Sequence, residues 1–145
     1  VSGGGLVGGI ATAIKNKSPN VKVIGAEPKN AAAYTVSLKE GKVSKAEALG
    51  TIADALVSVS PGTKNFPVVK DNVDEIINVS EDFILKGMKL LLNEGKILAE
   101  PSSGIGIGGV LEKKIEIPKD KKVCFVITGG SVSLEQLKIL EDITL

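Results

Sequence analysis

Residues 122–128 read KVCFVIT, and this run narrows the fold more than any other stretch of the chain. A strand with one buried face alternates apolar and polar side chains. A strand that is apolar almost throughout is covered on both faces, as in a parallel sheet lying between two layers of helices. Gly129-Gly130 ends the run, and a final helix is expected over Leu134–Leu140.

The remaining segments alternate in the same sense. Leu6–Lys17 has helical spacing, with Leu6, Ile10, Ala13 and Ile14 on one face and Ser18-Pro19-Asn20 as its stop. Val21–Ala26 is rich in strand formers. Pro28 suits the first turn of a helical segment that runs to Glu40 and closes at Gly41. Ala46–Ala55 reads as a helix and Ser60-Pro61-Gly62 as a turn. Glu75–Val79 reads as a short strand. Ser80 then caps a helix with two acids, Glu81 and Asp82, in its first turn, and Ile84, Met88, Leu91 and Leu92 along one face. Ile97–Ala99 is expected to be a strand stub, and Ser102–Lys114 a glycine-rich helix whose glycines serve close packing. Alternating strands and helices predict an α/β fold, a parallel sheet with helices on both faces. Ligands of such sheets bind beyond the carboxyl ends of the strands.

Composition removes several chemistries. The 145 residues contain no His, so a Ser-His-Asp triad or a His-ligated metal within this chain is excluded. All 18 basic residues are Lys, they face 17 acids, and only four aromatics are present. Neither forked recognition of phosphate or guanine nor base stacking is expected, so no nucleic-acid partner is. The single Cys124 lies in the apolar run and reads as a core thiol. No apolar stretch reaches the roughly 18 residues of a membrane span, and no secretory leader is recognisable, so the expectation is a cytoplasmic protein with no membrane partner.

Glycine is the exception to an ordinary composition. There are 17, and 11 of them fall in three clusters: Gly3–Gly9, Gly104–Gly109 and Gly129-Gly130. The first cluster leads straight into a helix. Consecutive glycines let the backbone approach an anion closely, and the free N–H groups of a helix start favour phosphate. A tight turn alone would need one glycine, not three beside Ser2. The same residues also fit G-x-G-x-x-G over Gly3–Gly8, with Glu27 following 19 residues later, which is the dinucleotide fingerprint.

The rest of the chain decides against a dinucleotide. SGGGLVGGIATAIK, VKVIGAEP, TIADALVSVSPGTKNFPVVKDNVDEIINVSEDFI, LAEPSSGIGIGGVL and VCFVITGG, in this order, resemble the fold-type II pyridoxal-phosphate enzymes, specifically the threonine/serine dehydratase and serine racemase group. The resemblance covers residues 1 to about 133 and implies a tryptophan synthase β-like large domain. It implies pyridoxal 5'-phosphate as cofactor, with Ser2, Gly3, Gly4, Gly5 and Leu6 in the positions of the phosphate loop; Ser2 stands where the family has its first loop glycine. Thr128 matches the position whose hydroxyl contacts the pyridine nitrogen, where dehydratases usually carry Ser. A neutral hydroxyl there leaves the nitrogen largely unprotonated, a weaker electron sink suited to β-elimination. A divalent or monovalent cation is implied at Glu27 and the Ala31 carbonyl, but the third-ligand position, acidic in some members, is Ala33; the plain alternative is a solvated Glu at a helix start. Glu100 matches an acidic position on the wall of the cofactor site.

The resemblance also implies what lies elsewhere. The family's Schiff-base lysine sits in an S-F-K-x-R-G-A stretch upstream of the glycine loop, and no such stretch occurs here. The chain opens at Val1 directly on the loop. The expectation is therefore that residues 1–145 are the C-terminal part of the large domain, without the catalytic lysine and the small domain. The implied function is β-elimination from L-threonine or L-serine to a 2-oxo acid and ammonia. Serine racemase activity, or a non-catalytic remnant serving as a binding module, are the alternatives. The expected partners are a small amino-acid substrate, the missing N-terminal portion and further copies in a homo-oligomer.

Overall fold

A computed structural model describes residues 1–145. Its elements are α1 (Gly5–Lys17), β1 (Ile24–Pro28), α2 (Ala33–Glu40), α3 (Asn65–Asn72), β2 (Glu75–Val79), α4 (Glu81–Asn93), α5 (Pro101–Leu111) and α6 (Leu134–Ile139), with short 3-10 turns at Lys29–Ala31, Asp54–Leu56 and Leu140–Asp142. β1 and β2 pair in parallel, Ile24 opposite Glu75 and Pro28 opposite Val79.

The two faces of β2 serve two cores. Ile77 and Val79 point into a cluster with Ala53, Ile84 of α4 and Ile105 of α5. Ile76 points the other way, toward Tyr34 of α2 and Phe66 and Val69 of α3. The sheet is thus covered by helices on both sides, as the alternation predicts. Helix α2 ends at Gly41 in the left-handed conformation (φ 72°). Helix α6 starts on a capping box between Ser133 and Gln136. No helix is long and apolar enough to cross a membrane.

The packing of α4 on α5 explains the glycines of the second cluster. A Cβ on Gly87 would lie 2.1 Å from the Gly104 oxygen, one on Gly104 2.6 Å from the Met88 nitrogen, and one on Gly108 2.4 Å from the Phe83 oxygen. The two backbones touch, and only glycine fits between them.

Several local expectations fail, each for a physical reason. Residues 122–128 form no strand, because no segment of the chain pairs with them. Val123 and Val126 are about half exposed, and Cys124 is exposed rather than a core thiol. Ile97–Ala99 likewise pairs with nothing in the sheet, and Ile97 and Leu98 are exposed. The expected helix over Ala46–Ala55 is irregular up to the 3-10 turn. Gly50 sits at φ 88°, and the Glu81 carboxylate draws the Thr51 hydroxyl (2.9 Å) and the Ile52 N–H (2.8 Å) out of any helical ladder. Helix α3 escapes the sequence pattern because Pro67 falls inside it. Proline is tolerated there because an N–H in the first turn has no helical partner to lose.

One tie holds the helix layer to both strands. Asp74, just before β2, accepts Lys15 of α1 through both oxygens (2.9 and 2.7 Å) and the Val23 N–H (2.7 Å), just before β1. The hydrogen bond from Lys15, and then that from Val23, hold its carboxyl below the ordinary value of 3.8. A depressed carboxyl contributes stability above its ordinary value and loses it as pH falls through the folded value. We expect Asp74→Asn to lower stability at neutral pH by about 1 kcal/mol, the scale of a half-exposed ion pair plus one hydrogen bond. Denaturant titrations should show the difference from wild type shrinking in acid, below the ordinary carboxylate range.

Candidate functional site

The glycine loop is built by three neighbours. Gly4 caps α1 in the left-handed conformation (φ 90°, ψ −1°), which an L side chain adopts only under strain. The Gly3 carbonyl accepts from the Gly62 N–H (3.0 Å), the Asn65 side-chain amide (2.9 Å) and the Tyr34 hydroxyl (3.2 Å). The Ser60-Pro61-Gly62 turn, α3 and α2 thus converge on one oxygen. The N–H groups of Gly3, Gly4, Gly5 and Leu6 take no hydrogen bond within the chain, and the first turn of α1 carries no acid. A Cβ position on Gly3 meets nothing within 4 Å. Free donors on a glycine-lined helix start, exposed at Gly5 and Leu6 and with no acid in its first turn, suit a phosphate. Ser2 is half-buried and Leu6 exposed beside this loop.

The second part of the site is the segment Thr128–Ser131. Ser103, near the start of α5, donates its hydroxyl to the Gly129 carbonyl and accepts the Gly129 N–H, both at 3.1 Å. The Glu100 N–H donates to the same carbonyl (3.1 Å), and a Glu100 carboxylate oxygen accepts the Ser131 N–H (3.3 Å). Glu100 lies so close to Gly129 that a Cβ there would come within 2.2 Å of its carboxyl carbon. Gly129 is therefore pinned, while Thr128 beside it is exposed and its hydroxyl makes no bond inside the chain. It does not cap the following loop and stays available to a ligand. No hydrogen bond joins this segment to the glycine loop.

Glu27 lies elsewhere than in solvent. It is 1% exposed and accepts the Tyr34 N–H (3.0 Å), the Thr35 N–H (2.8 Å) and the Asn78 side-chain amide (3.2 Å). The reading of a solvated helix-start Glu is thus corrected. Its charge is satisfied by the N-terminal amides of α2 and by β2. Ala31, in the 3-10 turn, and Ala33, opening α2, are both 2% exposed, and Ala33 brings no side-chain oxygen. No three His, Cys, Asp or Glu side chains gather to hold a metal ion. Three donors satisfy the buried Glu27 carboxylate.

Sequence reasoning misses the supports: Tyr34, Asn65 and Ser103. Their contacts span 26 to 62 residues, and no local spacing announces them. The Pro61-Gly62 turn is the one legible piece.

Known proteins resemble the chain in sequence and in fold. The family described as "Pyridoxal-phosphate dependent enzyme" matches residues 1–129. An L-threonine ammonia-lyase of Thermotoga maritima is 37% identical over 137 residues, 94% of this chain and 34% of that protein. A serine racemase of Rattus norvegicus is 39% identical over 140 residues, 94% of this chain and 42% of that protein. The processed threonine deaminase isoform 2 of Solanum lycopersicum superposes with a TM-score of 0.88 at 31% identity, covering 99% of this chain and 42% of that one. The chain thus spans between a third and a half of the length of these relatives.

Proposed function

Because the chain belongs to the pyridoxal-phosphate-dependent enzymes, we propose that the protein containing it deaminates L-threonine or L-serine by β-elimination, giving a 2-oxo acid and ammonia. The observation that carries this reading is the glycine loop: unpaired N–H groups on an open helix start, in a chain whose relatives include threonine ammonia-lyases.

Bound pyridoxal phosphate supplies an electron-withdrawing ring that makes the α-proton of an amino acid acidic and lets a β-hydroxyl depart. The chain's residues hold and tune it. The N–H groups of Gly3, Gly4, Gly5 and Leu6 would hold the phosphate, with the N-terminal dipole of α1 behind them. The Thr128 hydroxyl would serve the ring nitrogen as a neutral partner, which would leave the ring a moderate electron sink. Ser103 and Glu100 fix the backbone that presents Thr128. The lysine that anchors the cofactor covalently comes, on this reading, from outside these residues, since the S-F-K-x-R-G-A stretch does not occur among them. Residues 1–145 alone are therefore expected neither to anchor the cofactor nor to turn over substrate. Serine racemisation is the second reading, supported by relatives of that name at 39% identity against 37% for the ammonia-lyase. Both reactions begin with loss of the α-proton.

The test is an assay of the full-length protein on L-threonine and L-serine, following 2-oxo acid and D-serine. Oxo acid as main product supports the lyase, D-serine as main product moves the assignment to racemase, and neither overturns the reading. Adding pyridoxal phosphate and borohydride to residues 1–145 should leave no stoichiometric lysine adduct. Thr128→Ala should lower turnover about tenfold to a hundredfold, the scale of one hydrogen bond to a site with developing charge. Thr128→Ser should restore it. Equal turnover in all three would remove Thr128 from the site.

A further inference from the structure

Nothing in the sequence pattern places Tyr34 near the glycine loop, yet it is the largest of the fully buried side chains, at 0% exposure. Its ring lies beside Phe66, centroids 6.3 Å apart, and its hydroxyl reaches the Gly3 carbonyl. A buried phenol needs a partner, and this carbonyl is the one it takes.

The Gly3 carbonyl receives three donors, more than its two lone pairs require. The Gly3–Gly4 peptide is trans, so its C=O and the N–H of Gly4 point in opposite directions. Whatever holds the carbonyl toward α2 and α3 turns the Gly4 N–H away from them. An unheld peptide at this point would have to be ordered when the phosphate arrives, at a cost to affinity. The Tyr34 ring also occupies the space beside Gly4: a Cβ there would lie 1.8 Å from the phenol oxygen. Tyr34 therefore shares with Gly62 and Asn65 in orienting the peptide, and alone restricts the identity of residue 4. Burial first, and the nearby Glu27 carboxylate second, push the phenol above its ordinary value of 10.0, so it remains a donor across the working range.

We propose that Tyr34, seconded by Asn65, is a positioning residue for the phosphate cradle: it locks the Gly3 carbonyl inward and so presents the Gly4 N–H to the anion. The inference rests on the cofactor reading above and adds to it a residue outside the loop. Glu27, which holds the N–H groups of Tyr34 and Thr35, sets the position of Tyr34 in turn.

The test uses Tyr34→Phe in the full-length protein, which keeps the ring and removes only the hydroxyl. Pyridoxal phosphate binding is followed by absorbance, the bound phosphate by its phosphorus NMR resonance, and pyridoxal serves as the phosphate-free probe. The variant should bind pyridoxal phosphate about threefold to tenfold more weakly, the scale of one hydrogen bond. Its phosphorus resonance should shift, while its affinity for pyridoxal and the melting temperature of the apo form should match wild type. Unchanged pyridoxal phosphate affinity, or equal losses for both probes, would overturn the proposal. Should Tyr34→Phe fail to fold, Asn65→Ala is expected to give the same selective loss, and an unselective one would refute it. A wild-type protein that binds no pyridoxal phosphate would instead bring down the cofactor reading itself.

Discussion

Replacing Gly4 with alanine is expected to cost the protein its cofactor. Two penalties act together. The residue sits at φ 90°, where a Cβ is strained by about 1–2 kcal/mol. The new Cβ would also lie 1.8 Å from the Tyr34 oxygen and 2.6 Å from the ring carbon bearing it. Such an overlap between buried groups is relieved only by moving the loop or the tyrosine, and overpacking of this kind typically costs about 1–3 kcal/mol. Either movement releases the Gly3 carbonyl and misaligns the N–H groups of the cradle. We expect pyridoxal phosphate affinity to fall about a hundredfold or more, since every 1.4 kcal/mol is tenfold, and the melting temperature to fall as well. Equilibrium dialysis and calorimetry read the two separately. Gly4→Ala with wild-type affinity would show that the loop geometry is irrelevant to binding.

The second large effect is expected at the crossing of α4 and α5. An alanine in mid-helix normally gains about 1 kcal/mol over glycine. At Gly87 the sign should reverse. The added methyl would stand 2.1 Å from the Gly104 oxygen and 2.8 Å from the Gly108 nitrogen, both backbone atoms that cannot rotate away. The helices would have to separate, opening space around Ile84 and Ile105 in the larger core. We expect Gly87→Ala to destabilise by about 2–4 kcal/mol net. Gly9→Ala in α1, where nothing lies within 4 Å of the added atom, should follow the helix scale and stabilise slightly. Chemical denaturation of the two variants decides it; two stabilised variants would show that α4 and α5 do not touch as described.

These contrasts mark what can be read from residues alone. The alternation of α1, β1, α2, β2 and α4 is legible because each carries its own periodicity or stop signal, such as Gly41 or Ser18-Pro19. The loop is legible because three adjacent glycines opening a helix serve few purposes. The run 122–128 misleads in detail: its apolar character is genuine, but a strand exists only with a neighbour, and composition does not supply one. Ala46–Ala55 misleads because Glu81, some 30 residues away, captures the Thr51 hydroxyl and the Ile52 N–H. Glu27 stands out at the right position but with the wrong surroundings expected, since the amides that neutralise it belong to α2 and the side-chain amide to β2. What sequence conceals in this chain is partnership across distance.

That distance has a consequence for how the site comes into being. The donors that set the Gly3 carbonyl come from residues 31, 59 and 62 positions further along. Three long segments must close before the first few residues acquire their shape, and each closure spends chain entropy that only the finished tertiary structure repays. A collapsed chain with its helices formed but α2 and α3 undocked would own the same glycines and grip no phosphate. Cofactor capture is in that sense a signature of completed folding, and occupancy by pyridoxal phosphate draws the population toward the one arrangement that can accept it.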